Sequence, residues 1–169
     1  AKTEFNVWIA PHTGSVTKLP TPPKSSFASD NVAGAHPLVL EAIAKANAGH
    51  VPAYGADPIT VRTEQAFKEL FDHDVVTQFA YGGTGANVFA LASMLRPADA
   101  IVCAAQSHIN VDETGAPERA LGTKLITVPT VDAKLRPQDL ESAKSMFGNQ
   151  HAPQPGIVAI TQVTELGAL

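Results

Sequence analysis

Tyr81-Gly82-Gly83-Thr84-Gly85-Ala86-Asn87 lies between an apolar run, residues 75–80, and an amphipathic run, residues 88–95. This order predicts a strand, a glycine-rich turn and a helix. Such a turn directs several backbone N–H groups to one point at the positive end of a helix dipole, where a phosphate binds well. Glycine permits close approach of the backbone to a ligand, or backbone angles that a Cβ forbids. Thr84 would add a hydroxyl donor, although short glycine-rich turns of this kind are also common without any ligand.

The composition indicates one soluble globular domain. The 169 residues are 44% hydrophobic and 17% charged, which is ordinary for a domain with a real core. The net charge of −4 argues against a nucleic-acid partner, and no apolar run approaches the roughly 18 residues of a membrane span. Cys103 is expected to be a buried, inert thiol, and no Cys/His cluster has the spacing of a metal site. Without a signal-like start, we expect a cytoplasmic protein.

Residues 1–25 differ from the rest of the chain. Several prolines interrupt a polar stretch there and, because they lack an N–H donor, disfavour regular structure. We expect an extended arm, a linker or a leader, and an arm that packs on a partner subunit is one of these alternatives. Residues 26–169 follow as the folded region.

Beyond this arm, amphipathic and apolar runs alternate. Besides the elements around the glycine turn, we predict helices at 37–48, 58–71, 111–121 and 136–147, and strands at 100–104, 124–128 and 157–163. Asp57 and Pro58 suit the N-cap and first position of the second helix. Its buried side is expected to contain Val61, Phe67, Leu70 and Phe71. The alternation predicts an α/β fold, with a mostly parallel sheet and helices on both faces.

The glycine turn fits some phosphate ligands and not others. Counted from Gly82 or Gly83, the dinucleotide pattern Gly-x-Gly-x-x-Gly fails, and no Gly-Lys-Ser/Thr follows to make a nucleotide-binding P-loop. A cofactor with one phosphate and a flat ring remains, such as pyridoxal phosphate. His108 follows the apolar run 100–104 and could lie on that ring, although a histidine at a strand end is more often a plain surface residue.

Several stretches in this order resemble the low-specificity L-threonine aldolases, which are pyridoxal-phosphate enzymes of the aspartate-aminotransferase fold (fold type I). The resemblance covers most of the chain apart from the arm. The stretches are Phe27-Ala28-Ser29-Asp30-Asn31, Ala53-Tyr54-Gly55-Ala56-Asp57-Pro58, Gly83-Thr84-Gly85-Ala86-Asn87, Ser107-His108-Ile109-Asn110-Val111-Asp112-Glu113 and Gln162-Val163-Thr164-Glu165-Leu166-Gly167.

The resemblance implies roles for the cofactor-binding residues. Gly83 and Thr84 match the pair that binds the phosphate of pyridoxal 5′-phosphate. His108 matches the histidine that stacks on the pyridine ring. Glu113 sits where the family has an acidic residue near the substrate hydroxyl, so it is a candidate proton handler together with a water held near His108.

The resemblance also implies a substrate and an assembly. Ser29 matches a serine that holds the substrate carboxylate, and Tyr54 matches a tyrosine in a loop close to the active site. The implied reaction is cleavage of L-threonine and related β-hydroxy amino acids to glycine and an aldehyde. The implied partners are a small amino-acid substrate and further copies of the chain, in a homodimer or homotetramer, with no nucleic acid and no membrane.

One part of the family pattern is missing. In the family, the lysine that carries the cofactor and the aspartate that pairs with its ring nitrogen lie beyond the point where this sequence stops. Lys124, Lys134 and Lys144 lack the family's surrounding residues. We therefore expect the N-terminal part of the cofactor-binding large domain, inactive by itself, without the rest of that domain or the small C-terminal domain. The alternatives are another enzyme of this fold, a β-eliminating lyase or an aminotransferase, or a non-catalytic remnant or interaction fragment.

Overall fold

The computed structural model describes Thr21 and residues 32–167. The chain forms two compact units, Ala1–Thr63 and Glu64–Leu169. The predicted arm, apart from Thr21, and Ser29 lie outside the described residues, so the predictions for them stay predictions.

The described part of the first unit contains α1 (Pro37–Ala46) and the start of α2 (Pro58–Phe71). Both helices begin where proline and a capping side chain predict. His36 Nδ1 accepts a hydrogen bond from the Leu38 N–H at 3.2 Å. Asp57 Oδ1 accepts from the N–H groups of Ile59 and Thr60 at 3.0 and 2.9 Å. These bonds satisfy N–H groups that the first turn of a helix leaves free, and the predicted bounds of α2 are confirmed.

The predicted buried side of α2 is wrong. Neither α1 nor α2 contains a buried residue, and Val61, Leu70 and Phe71 are exposed. Several apolar residues of α1 do share one face, since they line one shallow groove of about 390 Å³ together with Ile59. Periodicity thus identified the apolar face of a helix, whereas burial needs a neighbouring element that the pattern does not specify. The α1 side of the groove consists of Leu38, Val39, Ala42, Ile43 and Ala46.

The second unit is built on a parallel sheet in the order β2-β1-β3. The strands are β1 (Asp99–Ala104), β2 (Leu125–Val128) and β3 (Gln154–Ala159). Ile101 at the centre of β1 lies beside Leu125 of β2 and Ile157 of β3. With strands on both sides, β1 is almost wholly buried, which accounts for its continuous apolar sequence.

Helices pack on both faces of this sheet, as predicted. Successive residues of a strand point to opposite faces, so Ile101 and Cys103 contribute to one core cluster and Val102 to another. The first cluster includes Leu91 of α3 (Gly83–Ala92) and Ile109 of α4 (His108–Val111), and the second includes Ala143 of α6 (Glu141–Lys144). Burial raises the pKa of the Cys103 thiol, which agrees with its predicted inert role.

Gly156 marks a local irregularity between β1 and β3. The pairing shifts by one residue there, so that Ala100 lies beside Pro155 and Ile101 beside Ile157. A Cβ on Gly156 would lie 2.5 Å from the Asp99 carboxylate and 2.8 Å from its Cβ. Glycine is therefore required for the two strands to approach each other at this point.

Several predicted boundaries are corrected by the structure. Residues 75–80 do not form a strand, because a strand exists only beside a partner and the sheet of the described residues pairs β1 with β2 and β3 alone. The helix after the glycine turn begins at Gly83 instead of residue 88. The last strand is Gln154–Ala159, which begins and ends earlier than predicted.

Two predicted helices are divided. The region 111–121 contains the end of α4 and then α5 (Ala116–Leu121), with left-handed glycines Gly115 and Gly122 on either side of α5. The region 136–147 contains a 3₁₀ helix, Pro137–Leu140, followed by α6. A glycine with positive φ commonly ends a helix, so Gly115 and Gly122 mark the two ends of α5.

Candidate active site

The glycine turn leads directly into α3, and Gly82 is its N-cap. Gly82 has no side chain with which to cap the helix, and the first bond into the turn runs from the Ala86 N–H to the Gly82 carbonyl at 3.1 Å. The N–H groups of the first helical turn have no partner within the helix. The arrangement therefore presents donors to an anion at the positive end of the ten-residue α3.

Neither the backbone angle nor a neighbouring atom of the described chain requires glycine at Gly82 or Gly83. Gly82 has an extended φ of −175°, and the left-handed glycines of the described chain lie elsewhere. A Cβ on Gly82 or Gly83 would meet nothing within 4 Å, whereas one on Gly85 would touch the Ala80 Cβ at 3.5 Å. The backbone in front of the first turn of α3 is thus open, as a phosphate pocket requires.

Strand β1 places the candidate ring-stacking histidine. The strand ends at Ala104, whose carbonyl accepts a bond from the N–H of the buried Ser107 at 3.0 Å. His108 follows as the first residue of α4, with its side chain 45% exposed. It therefore lies at the carboxyl edge of the sheet, where parallel α/β folds bind their ligands.

A network of three side chains connects α3 with α4. Glu113 is its centre, and its side chain is 0% exposed. Its Oε1 lies 2.8 Å from His108 Nδ1 and accepts a bond from Asn87 Nδ2 at 2.6 Å. The second oxygen of Glu113, Oε2, is buried without a hydrogen-bond partner in the described chain. We call these three residues the Asn87–Glu113–His108 network.

A cavity of about 370 Å³ lies beside this network. Asn87 and His108 line it, whereas Gly83, Thr84 and Glu113 do not. Asn87 follows Gly83 by four residues, which places the two on the same face of α3 one turn apart. The glycine turn and the imidazole are thus connected through Asn87 of α3 and Glu113. The remaining lining residues are Ala90, Leu91, Ser107, Ile109, Ala159, Ile160, Thr161, Gln162 and Glu165.

Acidic neighbours change the protonation of the imidazole. The hydrogen bond to Glu113 raises the pKa of His108 above its ordinary value, with smaller contributions from the charges of Glu165 and Asp112. Partial burial acts in the opposite direction. The bond to Glu113 thus stabilises the protonated form of the imidazole more than water alone would.

Sequence reasoning assigned no role to two residues of the site. Asn87 belonged to the quoted glycine stretch, and its position one turn after Gly83 was the available signal. Gln162 lines the cavity from the segment after β3, and no spacing pattern in the sequence pointed to it. Tyr54 has a φ of 61° and is fully exposed in the first unit, so its predicted role remains a prediction.

The described residues contain neither a metal-binding cluster nor a membrane-spanning helix. Within residues 32–167, histidine, cysteine and acidic side chains form no cluster that could hold a metal ion. No helix of that same region is both long enough and apolar enough to cross a membrane.

Comparison with known proteins agrees with the geometry. The low-specificity L-threonine aldolase of a Pseudomonas species is 39% identical over 150 residues, and that of Pseudomonas aeruginosa is 39% identical over 144 residues. They align with 88% and 85% of this chain. A solved structure of Leishmania major threonine aldolase superposes with a TM-score of 0.74 at 36% identity, over 80% of this chain and 40% of the other.

The coverage of these relatives is partial. The chain spans 43% and 42% of the two Pseudomonas enzymes. The match to the β-eliminating lyase family, by contrast, extends over residues 26–168, which is nearly the whole of this chain. Because this match covers most of the sequence, the chain belongs to the β-eliminating lyase family.

Proposed function

We propose that this chain is part of an enzyme that cleaves L-threonine and related β-hydroxy amino acids to glycine and an aldehyde, with pyridoxal phosphate as cofactor. β-Eliminating lyases and threonine aldolases depend on this cofactor. The observation that carries the proposal is the cavity lined by Asn87 and His108, beside a helix that begins at an open glycine turn.

The residues present fit the cofactor. The uncapped first turn of α3 suits its phosphate, because the backbone at Gly83 is open and Thr84 adds a hydroxyl donor. The half-exposed imidazole of His108 offers a flat surface for its ring. When bound, the cofactor supplies an electron sink for the pair that is released as the Cα–Cβ bond of the substrate breaks.

The protein must then take the proton of the substrate hydroxyl. Glu113 does not line the cavity, whereas His108 does, with its Nδ1 bonded to Glu113. His108 Nε2 is therefore the nitrogen that can hold a water at the cavity, and the proton of the substrate hydroxyl would pass through this water to Nε2. Ser29 and Tyr54 keep their proposed roles at the substrate carboxylate and in the neighbouring loop.

The cavity beside the Asn87–Glu113–His108 network does not contain the lysine that would carry the cofactor. None of the residues lining the cavity of about 370 Å³ is a lysine. Lys134 lines a smaller, adjoining cavity of about 140 Å³ together with Ser107 and residues 159–162. We therefore propose that the 169 residues alone do not turn over substrate.

The test is a product analysis. The protein, in the longest form that its gene encodes, is incubated with pyridoxal phosphate and L-threonine. Glycine and acetaldehyde are expected in equal amounts, since the two together account for every atom of threonine. The 169-residue chain, assayed in parallel, is expected to release neither product.

The family name supports one other reaction at the same site. A β-eliminating lyase would remove the substrate hydroxyl as water and yield 2-oxobutanoate and ammonia. Detection of these products, without glycine, would replace the aldolase proposal with elimination. Transfer of the amino group to a keto acid would instead indicate an aminotransferase, and the absence of any product would indicate a non-catalytic remnant.

A further inference from the structure

We propose that Glu113 is a positioning residue for His108 and α3, and that it does not exchange protons with the substrate. Through one oxygen it holds the imidazole on one side and the first turns of the phosphate-binding helix on the other. The inference rests on the proposed function, because the phosphate and the ring are what this spacing serves.

Glu113 is too deeply buried to meet a substrate in the cavity directly. The Glu113 side chain has no exposed surface and lines no part of the cavity of about 370 Å³ beside the network. A proton handler must approach the proton that it moves to within hydrogen-bond distance, directly or through one water. The imidazole, which is bonded to Glu113 and lines the cavity, stands in the position from which such contact is made.

The contact with Glu113 also determines which ring nitrogen of His108 carries the proton. A carboxylate oxygen only accepts hydrogen bonds, so at 2.8 Å from Oε1 the His108 Nδ1 must carry the proton. The opposite tautomer would place two lone pairs against each other. Glu113 therefore selects the form whose Nε2 is free to accept from a water or a substrate group in the cavity.

Glu113 Oε1 is shared between His108 and Asn87. Asn87 Nδ2 donates to the same Oε1 at 2.6 Å, although Asn87 and Glu113 are 26 residues apart in the chain. Gly82 gives α3 no side-chain cap, so this bond anchors the beginning of the helix from within its second turn. Movement of α3 is thus coupled to movement of the imidazole, and the distance between the phosphate turn and His108 is held constant.

The test separates positioning from proton transfer with three variants. Glu113→Gln keeps the shape but replaces an acceptor-only group, and Asn87→Ala cuts the bond to α3 while leaving Glu113 with His108. Glu118→Gln is the matched control, because Glu118 also has a buried, unpartnered oxygen, on α5. The readouts are the ¹⁵N shifts of the His108 ring across pH, affinity for inorganic phosphate and for pyridoxal phosphate, and cleavage of threonine.

In the unaltered protein, the neutral His108 ring is expected to be protonated at Nδ1. Glu113→Gln should weaken this preference, because the amide can donate to Nδ1 as well as accept from it, and should lower the His108 titration midpoint, with Glu165 and Asp112 as the remaining acidic neighbours. Both Glu113→Gln and Asn87→Ala should weaken phosphate binding about tenfold, which corresponds to about 1.4 kcal/mol. Asn87→Ala should leave the tautomer unchanged, and Glu118→Gln should change neither property.

Other outcomes overturn the inference. If Glu113→Gln preserves the ring tautomer and phosphate affinity yet stops cleavage, Glu113 is a proton handler. If Glu113→Gln fails to fold, an unchanged phosphate affinity in Asn87→Ala still excludes the coupling. Failure of the proposed function is recognised separately, because the unaltered protein would then release no glycine from threonine while its His108 ring still reports on Glu113.

Discussion

Strand β1 and helix α1 contain similar apolar residues but differ in how far those residues are buried. Ile101 in β1 is 0% exposed, between two strands and under helices, whereas Ile43 in α1 is 58% exposed. Both segments have the regular pattern of the element that they form. The difference lies in what surrounds them, so the pattern of apolar residues determines a face, and a neighbouring element determines whether that face is buried.

Paired truncations at these two isoleucines test the contrast most strongly. Ile101→Ala should lower the free energy of unfolding by about 2–5 kcal/mol, because it leaves a cavity in a closed core. Ile43→Ala should change it by less than about 0.5 kcal/mol. Urea unfolding followed by circular dichroism measures both. Equal losses would show that α1 is covered in solution and that the contrast is false.

Two glycines extend the contrast to backbone packing. Gly156→Ala should cost about 1–3 kcal/mol, because the new Cβ would collide with Asp99. Asp99→Gly removes the obstructing side chain and should recover most of that loss in a double-mutant cycle. Gly34→Ala is the control from the first unit, where a Cβ meets nothing within 4 Å. A loss of the same size in both glycine variants would rule out the steric explanation.

Gly83→Ala is expected to lower the affinity for the cofactor without changing the stability of the fold. A Cβ there meets no protein atom within 4 Å, so Gly83→Ala should leave the urea midpoint unchanged. Affinity for pyridoxal phosphate, measured by equilibrium dialysis, should fall about tenfold or more, which is about 1.4 kcal/mol, because the methyl group enters the space of the phosphate. Unchanged affinity would place the phosphate elsewhere.

The pair of His108 and Glu113 predicts a smaller, pH-dependent effect. Because the folded protein raises the pKa of His108, the contribution of the pair to stability is complete below the unfolded value of about 6.5 and is lost as pH rises through the raised value. The stability difference between the unaltered protein and Glu113→Gln should therefore shrink as the solution is made alkaline. A difference that grows with pH would contradict the assigned bond.

The smallest effect is expected at the start of α2. Bonds from Thr60 hold the pKa of Asp57 below its ordinary value of 3.8, so the cap stabilises the helix above that pH and is lost as pH falls through the lowered value. Asp57→Ala should reduce hydrogen-exchange protection in the first turn of α2, while Asp57→Asn should retain most of it. Equal protection in all three proteins would show that the cap is unnecessary.

What the sequence predicted correctly had local causes. The ends of α2 followed from Asp57, Pro58 and the apolar spacing, and the core position of β1 followed from its unbroken apolar run. The open turn before α3 and the place of His108 at the sheet edge were also predicted from neighbouring residues.

What the sequence did not predict depends on contacts between distant residues. Residues 75–80 have the composition of a strand but no partner in the described sheet. The bond from Asn87 to Glu113 joins residues whose spacing follows no motif. The burial of Glu113 was likewise not evident from its neighbours in the sequence. Its side chain lies outside the cavity and is bonded to the imidazole that lines it.

All three residues of the Asn87–Glu113–His108 network lie within residues 87–113, and its longest contact joins residues 26 apart. A loop of this length costs less entropy to close than one that spans the whole chain. We therefore expect the segment from α3 to α4 to order its imidazole while a chain is still being synthesised, before residues far downstream have emerged from the ribosome.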